Sequence, residues 1–256
     1  MRYIFLGILQ GLTEFLPVSS SGHLVIFQTL FKMGENIALD TVLHLATTLA
    51  LLVYFWKDIV NLLDPRRFKQ NRRMLWVLTV ATAITAVIGL SFKDFFESLF
   101  SSVQAVGGFL ILTGVMILLG EFLGRGQRKI ADLNLRDAVL IGLAQGCAIA
   151  PGLSRSGTTI SAALALNLDR GLAARFSFLL AIPTILGAGL LQSKAIFKAG
   201  TLGIGVFPLA LGFMAAFLSG LLAIKILLGL IQRASLRGFA YYCFGVGALV
   251  LFFSLR

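Results

Sequence analysis

Long runs of apolar residues dominate this chain and fall into six blocks, at about 38–56, 74–92, 103–123, 173–191, 203–228 and 238–254. Each is about 18 residues or longer, enough in helical form to cross roughly 30 Å of hydrocarbon. Two further apolar stretches, at about 1–33 and 137–167, break this pattern. Each has an apolar arm of about 10–15 residues, then a Pro and a Ser/Gly turn, then a second short apolar arm. Such an arm reaches only about 15–22 Å, roughly half a bilayer. The pattern predicts re-entrant helix hairpins with their tips near the midplane, where broken backbone survives only against protein or water. The expected fold class is all-α: a polytopic membrane protein with about six full transmembrane helices plus two re-entrant helix hairpins.

The two hairpins look like copies. One reads Gln10-Gly-Leu-Thr-Glu-Phe-Leu-Pro-Val-Ser-Ser-Ser-Gly-His23 and the other Gln145-Gly-Cys-Ala-Ile-Ala-Pro-Gly-Leu-Ser-Arg-Ser-Gly-Thr158. Gln and the closing Gly stand 12 residues apart in both (10 to 22 and 145 to 157), although Pro sits one place earlier in the second. Three full spans separate the copies, so the second is inverted relative to the first and their tips can meet. This is an inverted repeat within a single integral membrane domain, 1–256, with repeat one at about 1–123 and repeat two at about 137–254. Such plans place a polar site at the repeat interface.

Composition agrees. The chain is 58% hydrophobic and 13% charged, with a mean hydropathy of +0.93, far too apolar for a soluble domain. Polar Gln10 and Glu14 interrupt the first apolar run and no small-x-small site follows, so the N-terminus is expected to be mature structure rather than a cleaved signal. The net charge of +11 raises nucleic acid as a partner, but the basic residues cluster in short loops between spans, so no nucleic-acid binding is expected. Lys57, Arg66, Arg67, Lys69, Arg72, Arg73, Arg125, Arg128, Lys129, Arg136, Arg170, Arg175, Arg233 and Arg237 thread to one side, fourteen in all. Arg2, Lys32, Lys93, Lys194, Lys198 and Arg256 thread to the other. The richer side is expected to be cytoplasmic, which leaves both termini outside. Cys147 and Cys243 have no metal-ligand spacing and no reason to pair. The sequence leaves assembly into a homo-oligomer open.

The hairpins carry the chemistry. Gln10 and Glu14 are spaced i, i+4 and share a helix face. A carboxylate at membrane depth is costly and signals function, or else an acid tied to the Ser-rich turn at a helix end. Ser19, Ser20, Ser21, Gly22 and His23 form a turn whose amides make an anion cradle, although Ser and Gly also serve as plain turn and capping residues. His23 follows directly and is a candidate acid, base or nucleophile. Arg155 stands in the centre of the second turn. Its guanidinium needs an anion, either Glu14 or, better, a substrate phosphate. Ser154, Ser156, Thr158 and Thr159 offer further hydrogen bonds. Asp40 and His44, another i, i+4 pair at the start of a span, are weighed either as lining the same cavity or as interfacial residues. Gly203, Gly205, Gly212, Ala216 and Gly220 read as helix-packing positions.

These motifs resemble the undecaprenyl-pyrophosphate phosphatases of the bacitracin-resistance type. The resemblance rests on Gln10, Glu14 and the stretch from Pro17 to His23, on Pro151 to Gly157, on Phe176 to Pro183, and on Ala223-Ile-Lys225 to Arg233, so it covers nearly the whole chain. It implies dephosphorylation of undecaprenyl pyrophosphate to undecaprenyl phosphate and inorganic phosphate, which recycles the lipid carrier for cell-wall synthesis and gives bacitracin resistance. It also implies a bacterial inner-membrane location, a site opening to the periplasmic side, and a divalent cation, Mg²⁺ or Ca²⁺. By the family pattern Glu14, His23, Ser154 and Arg155 are functional positions, and Glu14 is the metal residue. Gln10 replaces the more frequent Glu, removing one negative charge.

The expected mechanism has Arg155 and the Ser turns, with Gln10, Ser19 and Ser21 beside them, binding the pyrophosphate, and Ser20 attacking the terminal phosphorus. Ser20 is activated by Glu14 or His23; attack by His23 itself or by water are the alternatives. A transporter or flippase of a polyprenyl phosphate lipid is the rival of another class. A phosphatidate-type acid phosphatase is disfavoured, because position 161, where its nucleophilic His belongs, is Ser.

Overall fold

A computed structural model describes residues 1–34, 36–199 and 204–254, with the side chains of residue 70 and of 194–199 outside the description. Gly203, Arg256 and the side chains of Lys194 and Lys198, all used in the sequence reading, thus lie outside the described residues. Among the described residues the structure is all-α, and only an isolated bridge joins Arg128 to Leu168. The helices are α1 (Arg2–Phe15), α2 (Ser20–Leu30), α3 (Ile37–Tyr54), α4 (Trp56–Leu63), α5 (Phe68–Ser91), α6 (Lys93–Phe100), α7 (Val103–Leu123), α8 (Leu135–Cys147), α9 (Arg155–Ala165), α10 (Arg170–Ala199), α11 (Val206–Arg233) and α12 (Arg237–Ser254). Six of them, α3, α5, α7, α10, α11 and α12, are long and apolar enough to span a membrane. The chain is a multi-pass membrane protein.

Three features differ from the sequence reading. Residues 57–73 and 93–102, read as loops, contain the short helices α4 and α6. Their mixed charged and aromatic composition hides an amphipathic period in eight residues. The fourth span does not stop near 191 but continues to Ala199, and Pro183 lies inside it.

The hairpins are α1–α2 and α8–α9, with arms of 14, 11, 13 and 11 residues. The copies superimpose in sequence with one constant shift, from Gln10 and Gln145 through to Lys32 and Asn167. Ser19 caps α2 by accepting from the Gly22 amide at 3.3 Å, and Ser154 caps α9 by accepting from the Gly157 amide at 3.1 Å. At the far ends Lys32 (φ 51°) and Asn167 (φ 63°) both turn left-handed. The amides of Met33 and Leu168 then reach back to Gln28 O and Ala163 O, at 2.9 and 3.1 Å, the six-to-one closure of a Schellman motif. The chain enters α8 through a buried clamp. Asp137 accepts from both Arg128 guanidinium nitrogens at 2.8 and 2.7 Å, and these bonds push Arg128 above its ordinary pKa.

Each hairpin packs on the other half of the chain. Helix α1 lies along α11, and α8 lies along α5, so each first arm rests on the second full span of the opposite repeat. Helix α7 packs on α12, and α3 on α10, like against like. Small residues make the α1–α11 approach possible. A Cβ added to Gly11 would come within 2.7 Å of Gly220 N and 2.5 Å of Ala216 O, both backbone atoms. Gly212, Ala216 and Gly220 are therefore packing positions, and Gly205 caps α11. Replacing Gly11 by Val should force the helices apart and lower stability by about 3 kcal/mol. Gly245→Ala, with nothing within 4 Å of the new methyl, should be near neutral. Thermal unfolding of the two variants in detergent checks the contrast.

Candidate active site

The hairpin tips meet. A Cβ on Gly22 would lie 3.0 Å from Gly152 Cα, and one on Gly157 3.2 Å from Pro17 Cβ, so both turns need glycine where they touch. Gly152 itself has φ +94°. Ser156 Oγ donates to Leu16 O at 3.1 Å across the junction. Thr113 of α7, fully buried, braces the second turn: it donates to Gly152 O and accepts from the Ser154 amide, at 3.0 and 2.9 Å.

Glu14 stands at this junction, 7% exposed. Ser20 Oγ donates to its Oε2 at 2.5 Å, and Arg155 Nη2 donates to its Oε1 at 2.5 Å. Gln10 Nε2 donates to Oε2 at 2.9 Å. Ser20 and Arg155 are equivalent positions, the first residue of the second arm in each copy. The two copies thus converge on one carboxylate. The counterpart of Glu14 in the second copy is Ile149, so there is one acid and one site. Ser19, which aims Ser20, sits at φ 69° and ψ 94°, whereas its counterpart Ser154 is relaxed at φ −67°. Backbone of this kind costs about 1–3 kcal/mol and gathers at functional positions. The strained copy is the one that presents Ser20 to the acid.

Two buried atoms at this cluster have no partner: Arg155 Nη1, a donor, and Gln10 Oε1, an acceptor. Lost hydrogen bonds of this kind are expensive in a dry interior, and here they mark where a ligand would bond. The capping pattern also leaves the amides of Ser20, Ser21, Arg155 and Ser156 without a partner inside their helices. The chemistry on offer is a guanidinium and four amides for an anion, beside a hydroxyl already bonded to a carboxylate.

The side chains of the remaining candidates do not bond to Glu14. His23 engages neither Ser20 nor Glu14. Its Nδ1 lies 2.7 Å from Ser19 O and its Nε2 2.8 Å from the Tyr242 hydroxyl, with the rings stacked at 5.7 Å. A carbonyl only accepts, so Nδ1 carries the proton and, in the neutral ring, Nε2 accepts from Tyr242. Ser21 and Ser156 lie 3.4 and 3.3 Å from the capping hydroxyls of Ser19 and Ser154. Thr159 donates to Arg155 O at 2.7 Å and meets Ser177 of α10 at 2.6 Å. The Thr158 hydroxyl is buried without a partner.

His44 does join the cluster. Its Nδ1 is held by Asp40 O at 2.7 Å, so Nε2 faces Glu14 Oε2 at 3.7 Å, an ion pair when the ring is protonated. Asp40 in turn accepts from Gln28 of α2 at 2.7 Å. This polar line runs from Glu14 towards the start of α3, and the His44 side chain is 30% exposed. On the opposite side Phe15, Phe55 and Phe178 close the floor, fully or almost fully buried and with centroids 5.6 and 5.8 Å apart. The more exposed edge of the cluster therefore lies at His44, towards the start of α3. Tyr242 and Thr113 were not legible in the sequence, since neither stands in a motif. The i, i+4 spacing of Asp40 and His44 was the signal for His44.

The match of the family profile described as "Bacitracin resistance protein BacA" runs over residues 3–249. The chain is 44% identical to a protein named undecaprenyl-diphosphatase from Halothermothrix orenii, covering 98% of this chain and 96% of the relative. It is 42% identical to one of the same name from Methanobrevibacter smithii, covering 100% and 98%, and 43% identical to one from Carboxydothermus hydrogenoformans, covering 97% and 95%. Similarity at this level over almost every residue, including both hairpins and all six spans, places the chain in the bacitracin resistance protein BacA family.

Proposed function

We propose that this membrane protein is an undecaprenyl-diphosphatase, releasing inorganic phosphate from undecaprenyl pyrophosphate and leaving undecaprenyl phosphate. The observation that carries the reading is the unpaired Arg155 Nη1, buried next to a serine that is hydrogen-bonded to Glu14. Arg155 and the free amides of the two turns bind the terminal phosphoryl oxygens and hold the phosphorus in line with Ser20. Ser20 Oγ attacks as its proton passes to Glu14 Oε2, and the bond to the bridging oxygen breaks. Undecaprenyl phosphate leaves as a stable anion that needs little acid help. Water then attacks the phosphoserine, Glu14 returns its proton to Ser20 Oγ, and dihydrogen phosphate departs. His23 holds the first turn through Ser19 O rather than acting on the phosphorus.

The donor set suits a divalent cation held largely by phosphate and water, as Mg²⁺ usually is. Glu14 and the orphaned Gln10 Oε1 would be its protein ligands, and among the described residues no group of three or more His, Cys, Asp or Glu offers a full cage. When bound, the ion supplies neutralisation of charge on the pyrophosphate. The loops with fourteen basic residues argue for a cytoplasmic placement. The His44 edge beside α3 would then face the periplasm, with the chain in the bacterial inner membrane.

Phosphate release from undecaprenyl pyrophosphate by purified protein in detergent tests the proposal, because a lipid transporter has nothing to transport there. Ser20→Ala should lower the rate by about 10³-fold and abolish any phosphoserine trapped by acid quench. Wild-type rates from Ser20→Ala would remove Ser20 as nucleophile. No phosphate release from wild type would remove the hydrolase reading itself.

A further inference from the structure

A cavity opens at the start of α5, and none of its lining residues belongs to the hairpins. It measures about 340 Å³ and is lined by Phe68, Arg72, Arg73 and Trp76. Phe68, Arg72 and Trp76 follow one another at i, i+4 and i+8 along a single helix face, with Arg73 beside them. Helix α5 has 24 residues, about 36 Å, so its first turns project beyond the hydrocarbon. The two guanidiniums therefore stand at headgroup level, with the Trp76 indole one turn deeper at the boundary where indoles settle.

Among the described residues neither arginine is neutralised by an acid. The two acids of the adjoining segment are taken by other bases: Asp64 pairs with Arg67 at 3.9 Å, and Asp58 with Arg175 at 3.3 Å. Arg72 and Arg73 have no ion pair among the described residues. No acidic residue stands in the first turn of α5 to offset them. Two exposed aromatic faces, 58% at Phe68 and 47% at Trp76, supply an apolar wall beside the charge.

We propose that this cavity is a binding site for the phosphate of an anionic phospholipid in the leaflet that faces residues 57–73. The guanidiniums take the phosphodiester oxygens, and Phe68 and Trp76 take the glycerol and the upper acyl carbons. The site is separate from the Glu14 junction and does not depend on the reaction proposed there.

Native mass spectrometry of the full-length protein, extracted from nanodiscs of equimolar phosphatidylglycerol and phosphatidylcholine, reads the preference directly. Wild type should retain phosphatidylglycerol over phosphatidylcholine by about tenfold. The double variant Arg72→Gln/Arg73→Gln should fall to near parity while releasing phosphate from undecaprenyl pyrophosphate at the wild-type rate in detergent. Arg136→Gln/Arg233→Gln, which removes two exposed charges threaded to the same side, should keep the preference. Lack of enrichment in wild type would overturn the proposal. So would equal loss in both double variants, which would mean diffuse surface charge, or displacement of the lipid by equimolar inorganic phosphate, which would mean a free-anion site.

Discussion

Glu14→Gln is expected to lower the rate of phosphate release by about 10³-fold or more. The substitution is nearly isosteric, and the amide can still meet Gln10 and Ser20. What it loses is the charge. Ser20 then has no base within hydrogen-bond distance, since the two ring nitrogens of His23 are taken by Ser19 O and Tyr242. Arg155 loses the one side-chain anion it has among the described residues, in a position where its side chain is 14% exposed. Removing one partner of a buried pair typically costs about 3–5 kcal/mol, so the apo protein should also unfold at lower temperature. A phosphate analogue should restore part of that loss by giving Arg155 an anion again. Glu14→Asp separates the two effects: it keeps the charge near Arg155 and recovers stability, but draws the carboxylate back from Ser20 and stays slow. Steady-state rates and thermal unfolding, each with and without analogue, check all three statements. A Glu14→Gln enzyme within tenfold of wild type would remove Glu14 as the base.

Arg155→Ala is expected to be the second severe loss, about 10²–10³-fold in kcat/KM. Arg155→Lys should recover little of it. An ammonium replaces the charge, but cannot donate to Glu14 Oε1 through one nitrogen while offering a second, fixed donor to a phosphoryl oxygen. In the present geometry Nη2 performs the first task and Nη1 is free for the second. The two residues act as a unit, so Glu14→Gln combined with Arg155→Ala should cost far less than the product of the single losses. Equal multiplication of the two effects would mean that they work independently, contrary to their shared contact.

The spans, the two short-armed hairpins and the contact between their tips could all be read from apolar run lengths and from the repeated Gln-Gly…Ser-Gly spacing. The acid and the guanidinium were legible because a charge at membrane depth has few structural excuses. Other features required coordinates. Helices α4 and α6 are too short and too charged for run length to find. The distribution of hydroxyls is also invisible in a motif: Ser19, Ser154 and Thr159 look alike as candidate donors, yet two are caps and one bridges to Ser177. His23 stands three residues from Ser20, but its ring is turned to Tyr242, more than two hundred positions away in the chain. Aligning the copies residue by residue would have shown that Ser20 and Arg155 are counterparts, and that only the first copy retains an acid.

The exchange of arms between halves fixes when activity can arise during synthesis. Helix α1 leaves the ribosome first, yet the surface it lies against, α11, is nearly the last to be made. Until then the first arm, with the serine and its acid, lacks its packing wall, although Arg155 of the later copy has already been made. Nascent and truncated chains should therefore be inert, and competence should appear abruptly once the penultimate span enters the bilayer.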